Sequence, residues 1–243
     1  LIKKQKKIWG GKVSLDLPEN ILLFFGGTII GSFFNVLIYR LPRKTSIIWP
    51  PSTCPLCKHR LRWTDLIPII SYLLLRGRCR YCQRPINRLY PIIELLAGFS
   101  TLIWAFRFGL FPSEVWKLVL IYGLIVISCI DLQAKIIPNK LTYPLMVGGL
   151  IYSWAQGGFL SALIGGLTGG GILLLIHLLY PKGMGMGDIK LLTMLGIYLG
   201  WQGVIHTLFF GSLAGVLILF PLLLSGKIHQ QDPIPFGPFL AVG

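Results

Sequence analysis

The feature that most restricts this chain is a series of apolar runs near 20 residues long, at about 20–41, 90–107, 116–131, 141–157, 160–180, 188–201 and 204–225. A helix needs about 20 apolar residues to cross the hydrocarbon core of a bilayer, where only helices and closed barrels satisfy their own backbone groups. A further run starts at Pro238 and reaches the last residue, Gly243. It reads as an eighth span cut short. The runs predict an all-α polytopic membrane protein of about eight transmembrane helices. The run at 188–201 is short for a crossing, so 188–225 also reads as one bent pair. Charged residues make up 13% of the chain, against about a quarter in a soluble domain.

The charge that remains is unevenly placed. The net charge is +15, and 11 of the 23 Lys and Arg lie between Arg40 and Arg88. Basic loops on a membrane protein act as topology signals and as contacts to anionic lipid, so the lipid bilayer and not nucleic acid is the expected partner. The positive-inside rule puts loop 42–89 in the cytoplasm, and alternation puts loops 132–140, 181–187 and 226–235 there too, with Lys135, Lys140, Lys182 and Lys227. The opposite loops near 158 and 202 have no Lys or Arg. The five Lys within the first twelve residues conflict with this orientation. They resemble a signal-peptide n-region, but no small-residue cleavage site follows, so the first run is expected to be a retained helix. Three parts result: an N-terminal segment and first helix at 1–41, a cytoplasmic insert at 42–89, and a multi-helix membrane domain at 90–243.

The insert holds two C-x-x-C pairs, Cys54 with Cys57 and Cys79 with Cys82, separated by 21 residues. This spacing suits tetrahedral Zn²⁺ held by four thiolates, a closed site with a structural role. The alternative is two disulfides, which the reducing side of the membrane disfavours. His59 is either an alternative ligand or a solvated loop residue. The fifth cysteine, Cys129, lies inside a span and reads as a small buried apolar residue.

Acids in spans are costly and mark function. Asp131 ends the third span in "SCIDLQAKIIPN" and Asp188 starts the sixth in "GMGMGDIK". By the topology both sit at the cytoplasmic ends of their helices. Asp188 has three readings: a helix N-cap, part of a phosphate loop lacking its strand and Walker pattern, or one carboxylate of an aspartyl dyad that shares a proton. Asp131 faces the negative end of its helix dipole and has no obvious capping role, which favours the dyad, with Asp188 expected to act as base and Asp131 to carry the proton. Gly185 and Gly187 would admit an extended substrate backbone. Lys190 either holds the pair's charge or snorkels to the interface.

"GSFFNVLIYRLP", "DLIPIISYLLLRGRCRYC", "RLYPIIELLAG", "IDLQAKIIPN", "GMGMGDIKLL" and "IPFGPFLAVG" follow in this order. In them the chain closely resembles the bacterial type IV prepilin peptidases, the leader peptidase/N-methyltransferases, from about Gly31 to Gly243. The resemblance implies an aspartic endopeptidase of the bacterial inner membrane. It would remove the basic leader from prepilins or pseudopilins at the cytoplasmic face, with Asp131 and Asp188 as catalytic aspartates. It also implies methylation of the new N-terminus from S-adenosylmethionine, with Gly31, Asn35 and Glu94 at positions tied to that second activity. Glu94 near a helix start has a plainer reading as a dipole partner. Asn139 stands where many relatives carry an acid.

Three other readings compete, one of them within the proteases. A presenilin-like intramembrane protease shares the G-x-G-D pattern, but cuts deeper and lacks the cysteine insert. A transporter with a proton relay would place its acids nearer the midplane. A zinc-stabilised scaffold for pilus assembly would do no chemistry.

Overall fold

A computed structural model describes residues 16–181, 184–226 and 234–243, leaving out the side chain of Pro112. The N-terminal lysines, Lys182, Gly183 and Lys227, invoked above, lie outside these residues. The helices are α1 (Leu17–Arg40), α2 (Ile70–Leu74), α3 (Leu89–Phe108), α4 (Val115–Ala134), α5 (Asn139–Ala155), α6 (Phe159–Leu179), α7 (Met186–Leu224) and α8 (Gly237–Val242). Among the described residues there is no strand, only two isolated bridges in the insert. The protein is an all-helical polytopic membrane protein.

Among the described residues five helices, α1, α3, α4, α6 and α7, are long and apolar enough to cross a membrane. The larger expected number has a structural basis. The 39-residue α7 covers two of the expected spans and breaks at Gly200, where φ 71° and ψ 176° leave the helical region. A left-handed φ favours glycine, so the bent-pair reading of 188–225 describes this segment. The 17 residues of α5 match the span expected at 141–157, and the run from Pro238 lies in the six-residue α8. Large apolar side chains point outward along the spans (Leu22, Leu167 and Leu217 are 75%, 75% and 65% exposed), as suits helices whose outer solvent is lipid.

The chain divides into two compact units. The first holds the residues up to Asn35 and Pro50–Val119, which include most of α1, most of the insert, and α3. Here α1 lies directly on α3: a Cβ at Gly31 would sit 2.8 Å from Glu94 Cα. The second unit holds Val36–Trp49 and Leu120–Gly243. Its tightest pairing is α6 on the first half of α7, through small residues that let backbones meet. A Cβ on Gly165 would strike the Gly196 carbonyl and come within 2.7 Å of Gly200 Cα. The buried side of α7, with Leu191, Leu192, Met194 and Leu195, forms the core of this unit. Tyr198 ties in α5 by donating to the Leu145 carbonyl at 2.9 Å. The short α8 seats on the second half of α7, where a Cβ at Gly211 would lie 2.9 Å from the Phe239 carbonyl oxygen.

Candidate active site and metal centre

In the first unit the two C-x-x-C pairs fold into two turns built alike. Cys54 N–H donates to the His59 carbonyl and Lys58 N–H to the Cys54 carbonyl, both at 2.9 Å. Twenty-five positions on, Cys79 N–H donates to the Arg84 carbonyl and Gln83 N–H to the Cys79 carbonyl, again at 2.9 Å. Lys58 (φ 60°) and Gln83 (φ 58°) take the same left-handed turn. All four Sγ atoms lie within 4.8 Å of one another, and none is in a disulfide. Thiolates around tetrahedral zinc stand about 3.8 Å apart at Zn–S bonds near 2.3 Å, so the donor set fits a Zn²⁺ after a small contraction. Burial works against ionisation of Cys54, yet the N–H groups of Cys57 and Leu56 and the thiols of Cys57 and Cys79 hold it down at about 7. The Arg84 N–H favours the thiolate of Cys82, but burial and its three thiol neighbours push it up to about 11. Four thiols this close ionise together only around a cation. His59 is not among the four clustered ligands; it is an exposed loop residue, as the second reading has it, and its ring stacks on Tyr81 with centroids 3.7 Å apart. Asp65 fastens the two halves by accepting from Arg80 Nε at 2.8 Å, Tyr81 OH at 3.0 Å and Arg62 N–H at 3.1 Å.

Gly31, Asn35 and Glu94 come together on the α1–α3 contact. The side-chain space at Gly31 is filled by the α3 backbone. Asn35 Nδ2 donates to the Tyr90 carbonyl at 3.3 Å. Glu94 is buried, lies five residues into α3 and so beyond its first turn, and accepts from Ile69 N–H at 2.8 Å. Its partner is therefore a residue of the insert and not the start of its own helix. Ile69 sits at φ 61°, ψ −52°, a costly conformation for a β-branched residue, and the Glu94 bond helps to hold it.

In the second unit Asp131 lies in the last turn of α4 and is 5% exposed. Its Oδ2 accepts from the Gly237 N–H at 2.9 Å in a buried bond spanning 106 residues. The absence of a capping role expected for Asp131 is corrected here: it satisfies a first-turn N–H of α8. Asp188 is likewise corrected. The N-cap of α7 is Gly185, and Asp188 is the third helical residue, its N–H donating to the Gly185 carbonyl at 3.1 Å. Its carboxyl folds back over Gly185, where a Cβ would lie 3.2 Å from Oδ2. The Asp131 and Asp188 carboxyls are close enough for their charges to interact, so the pair is assembled from the end of one helix and the start of another.

The neighbouring residues are placed as follows. The side-chain space of Gly187 is occupied by Ile137, 3.1 Å from a built Cβ, so this glycine serves packing within the chain. Lys190 Nζ donates to Asn139 Oδ1 at 3.0 Å and lies 5.6 Å from the Tyr143 ring. Its hydrogen-bond partner is thus Asn139. The sequence reading missed Gly237, whose contribution is a backbone N–H without a side-chain signature. The only pointer was its place in "IPFGPFLAVG".

Membrane-length helices, two acids at helix ends (Asp131 buried, Asp188 half-buried) and a four-thiol turn motif define a polytopic membrane protein. Residues 25–108 match the Bacterial Peptidase A24 N-terminal domain and residues 118–220 the Type IV leader peptidase family. The chain belongs to this family. A protein of Aeromonas hydrophila named prepilin leader peptidase/N-methyltransferase is 36% identical over 91% of this chain and 87% of its own length. Relatives of the same name in Burkholderia pseudomallei and Pseudomonas aeruginosa are 34% and 33% identical, over 93% and 89% of this chain and 85% of each relative. No solved structure matches the chain.

Proposed function

We propose that this protein removes the basic leader from type IV prepilins or pseudopilins at the cytoplasmic face of the bacterial inner membrane, with Asp131 and Asp188 as the catalytic pair. The observation that carries the reading is the pair itself: two acids, 57 residues apart in sequence, brought within electrostatic reach in one unit while one of them is tied to a backbone amide. In this reaction one carboxylate takes a proton from water as the water oxygen attacks the scissile carbonyl carbon. The other, protonated, gives its proton to the carbonyl oxygen. The tetrahedral intermediate then collapses, the C–N bond breaks, and a proton passes from the pair to the leaving amine. The apolar helix of a prepilin would lie among the spans, which brings the bond beside it to the helix-end acids.

The cytoplasmic assignment rests on the basic insert. Zn²⁺ held by Cys54, Cys57, Cys79 and Cys82 would be structural, since four thiolates leave no open position. The relatives' names also support methylation of the trimmed N-terminus, for which S-adenosylmethionine would supply the methyl group. Gly31, Asn35 and Glu94 do not form a cradle for it, because the glycine is filled by α3 and the two polar side chains bond to backbone. Their proposed service is to shape the N-terminal unit. Gly185, Gly187 and Lys190 are proposed to shape the entry to α7 in the same way.

Purified protein with a prepilin in detergent tests the reading. Asp131→Ala and Asp188→Ala should each lower cleavage by at least about 10³-fold, within the range expected for lost general acid–base catalysis. Normal cleavage by either variant would remove that residue from the mechanism.

A further inference from the structure

We propose that Gly237 is a positioning residue for the cleavage reaction, fixing the Asp131 carboxyl with its backbone N–H and with its lack of a side chain. The proposal rests on the reading of Asp131 as one of the two proton-transfer carboxyls. Two independent features of one residue converge on that carboxyl. The N–H donates to Oδ2 at 2.9 Å in a buried bond. The hydrogen face of the same residue packs against the group, so a Cβ there would lie 2.8 Å from Oδ2, 3.4 Å from Cγ and 3.5 Å from Cβ of Asp131. An aspartate has only one methylene between backbone and carboxyl, so it cannot yield to that methyl group without rotating its reactive end.

The geometry also costs the helix nothing. Gly237 is the first residue of α8, and first-turn N–H groups have no intrahelical acceptor. The donor is held firmly because α8 is seated on α7: Leu240 is 1% exposed, and the Phe239 carbonyl oxygen would be 2.9 Å from a Cβ at Gly211. With Oδ2 occupied by the amide, Oδ1 is the oxygen left to exchange a proton with water or with Asp188. A segment more than a hundred residues downstream thus sets which oxygen of Asp131 reacts.

The test compares four proteins, wild type, Gly237→Ala, Gly171→Ala and Asp131→Ala, in steady-state cleavage of a prepilin in detergent. Misplacing a reacting group by about 1 Å costs on the order of 10²-fold, so kcat of Gly237→Ala should fall about 10- to 100-fold with KM within about twofold. Gly171→Ala adds the same methyl group on α6, where nothing lies within 4 Å of the new Cβ, and should keep kcat within about threefold. An unchanged kcat in Gly237→Ala, or an equal loss in Gly171→Ala, overturns the proposal. The underlying reading fails separately, by normal cleavage in Asp131→Ala. A second measurement does not depend on the folding of any Gly237 variant. Hydrogen exchange of the Gly237 amide should be about tenfold faster in Asp131→Ala than in wild type, and equal exchange in the two would show that the bond is not made.

Discussion

Glu94 in the first unit and Asp131 in the second are buried carboxyls used in nearly the same way. Each accepts one backbone N–H from a segment distant in sequence, Ile69 at 2.8 Å and Gly237 at 2.9 Å. Each is almost closed to its surroundings, at 8% and 5% exposure. What separates them is the company they keep. Asp131 has a second carboxyl within electrostatic reach, while the groups that meet the Glu94 carboxyl are the Ile69 amide and the Ser32 hydroxyl. A buried acid in a membrane helix is thus not by itself a sign of catalysis. One such acid latches a strained turn, and the other belongs to the pair proposed to pass a proton.

The largest effect that would break this comparison lies in the metal centre of the first unit. Structural zinc contributes about 10–16 kcal/mol to folding in small zinc modules. Removing it by chelation, or replacing Cys79 with Ser, should therefore unfold the insert and open the Arg-rich stretch from Arg76 to Arg88 to trypsin. Elemental analysis of the untreated protein should find one zinc per chain. An insert equally resistant to trypsin with and without metal would show that the thiols hold no structural ion. The matching similarity of the two cysteine turns would then need another cause.

Glu94→Ala sharpens the comparison at a smaller scale. The Ile69 N–H would lose its acceptor, and a buried group left without its partner costs about 1–3 kcal/mol. Thermal unfolding in detergent should shift down accordingly, while prepilin cleavage stays within about threefold of wild type, far from the loss of about 10³-fold expected at Asp131 and Asp188. If Glu94→Ala instead abolished cleavage while the fold held, the division between a latching acid and a reacting pair would collapse.

The spans were legible because bilayer thickness sets a length that apolar runs must match, so the ends of α1, α3, α4, α5 and α6 fall within three residues of the expected ones. The four thiols were legible because metal chemistry demands particular residues at short spacing. The break in α7 was readable only as an alternative, since nothing local distinguishes Gly200 from the glycines at Gly196 and Gly203. Asp188 was expected at the helix start and is found three residues in, because Gly185 takes the N-cap. The bonds that matter most to the two acids were not readable. Their donors are backbone amides, Ile69 and Gly237, and every residue type except proline offers the same group. Pairing them with Glu94 and Asp131 requires the tertiary structure.

Lys190 provides the smallest and most discriminating test. It follows Asp188 by two positions, and in sequence it looked able to hold the pair's charge. In the structure its ammonium donates to Asn139 and lies over Tyr143, so its work is to join the starts of α5 and α7. An exposed interaction of this kind is worth less than about 1 kcal/mol. Lys190→Met keeps the side-chain length and removes the charge, and it should lower the unfolding midpoint slightly while leaving kcat within about threefold. A fall in kcat of more than about 10²-fold at unchanged stability would mean that the ammonium acts on the carboxyl pair during turnover. The reacting group would then be two acids and a base, and the contrast with the solitary Glu94 would rest on charge as well as on number.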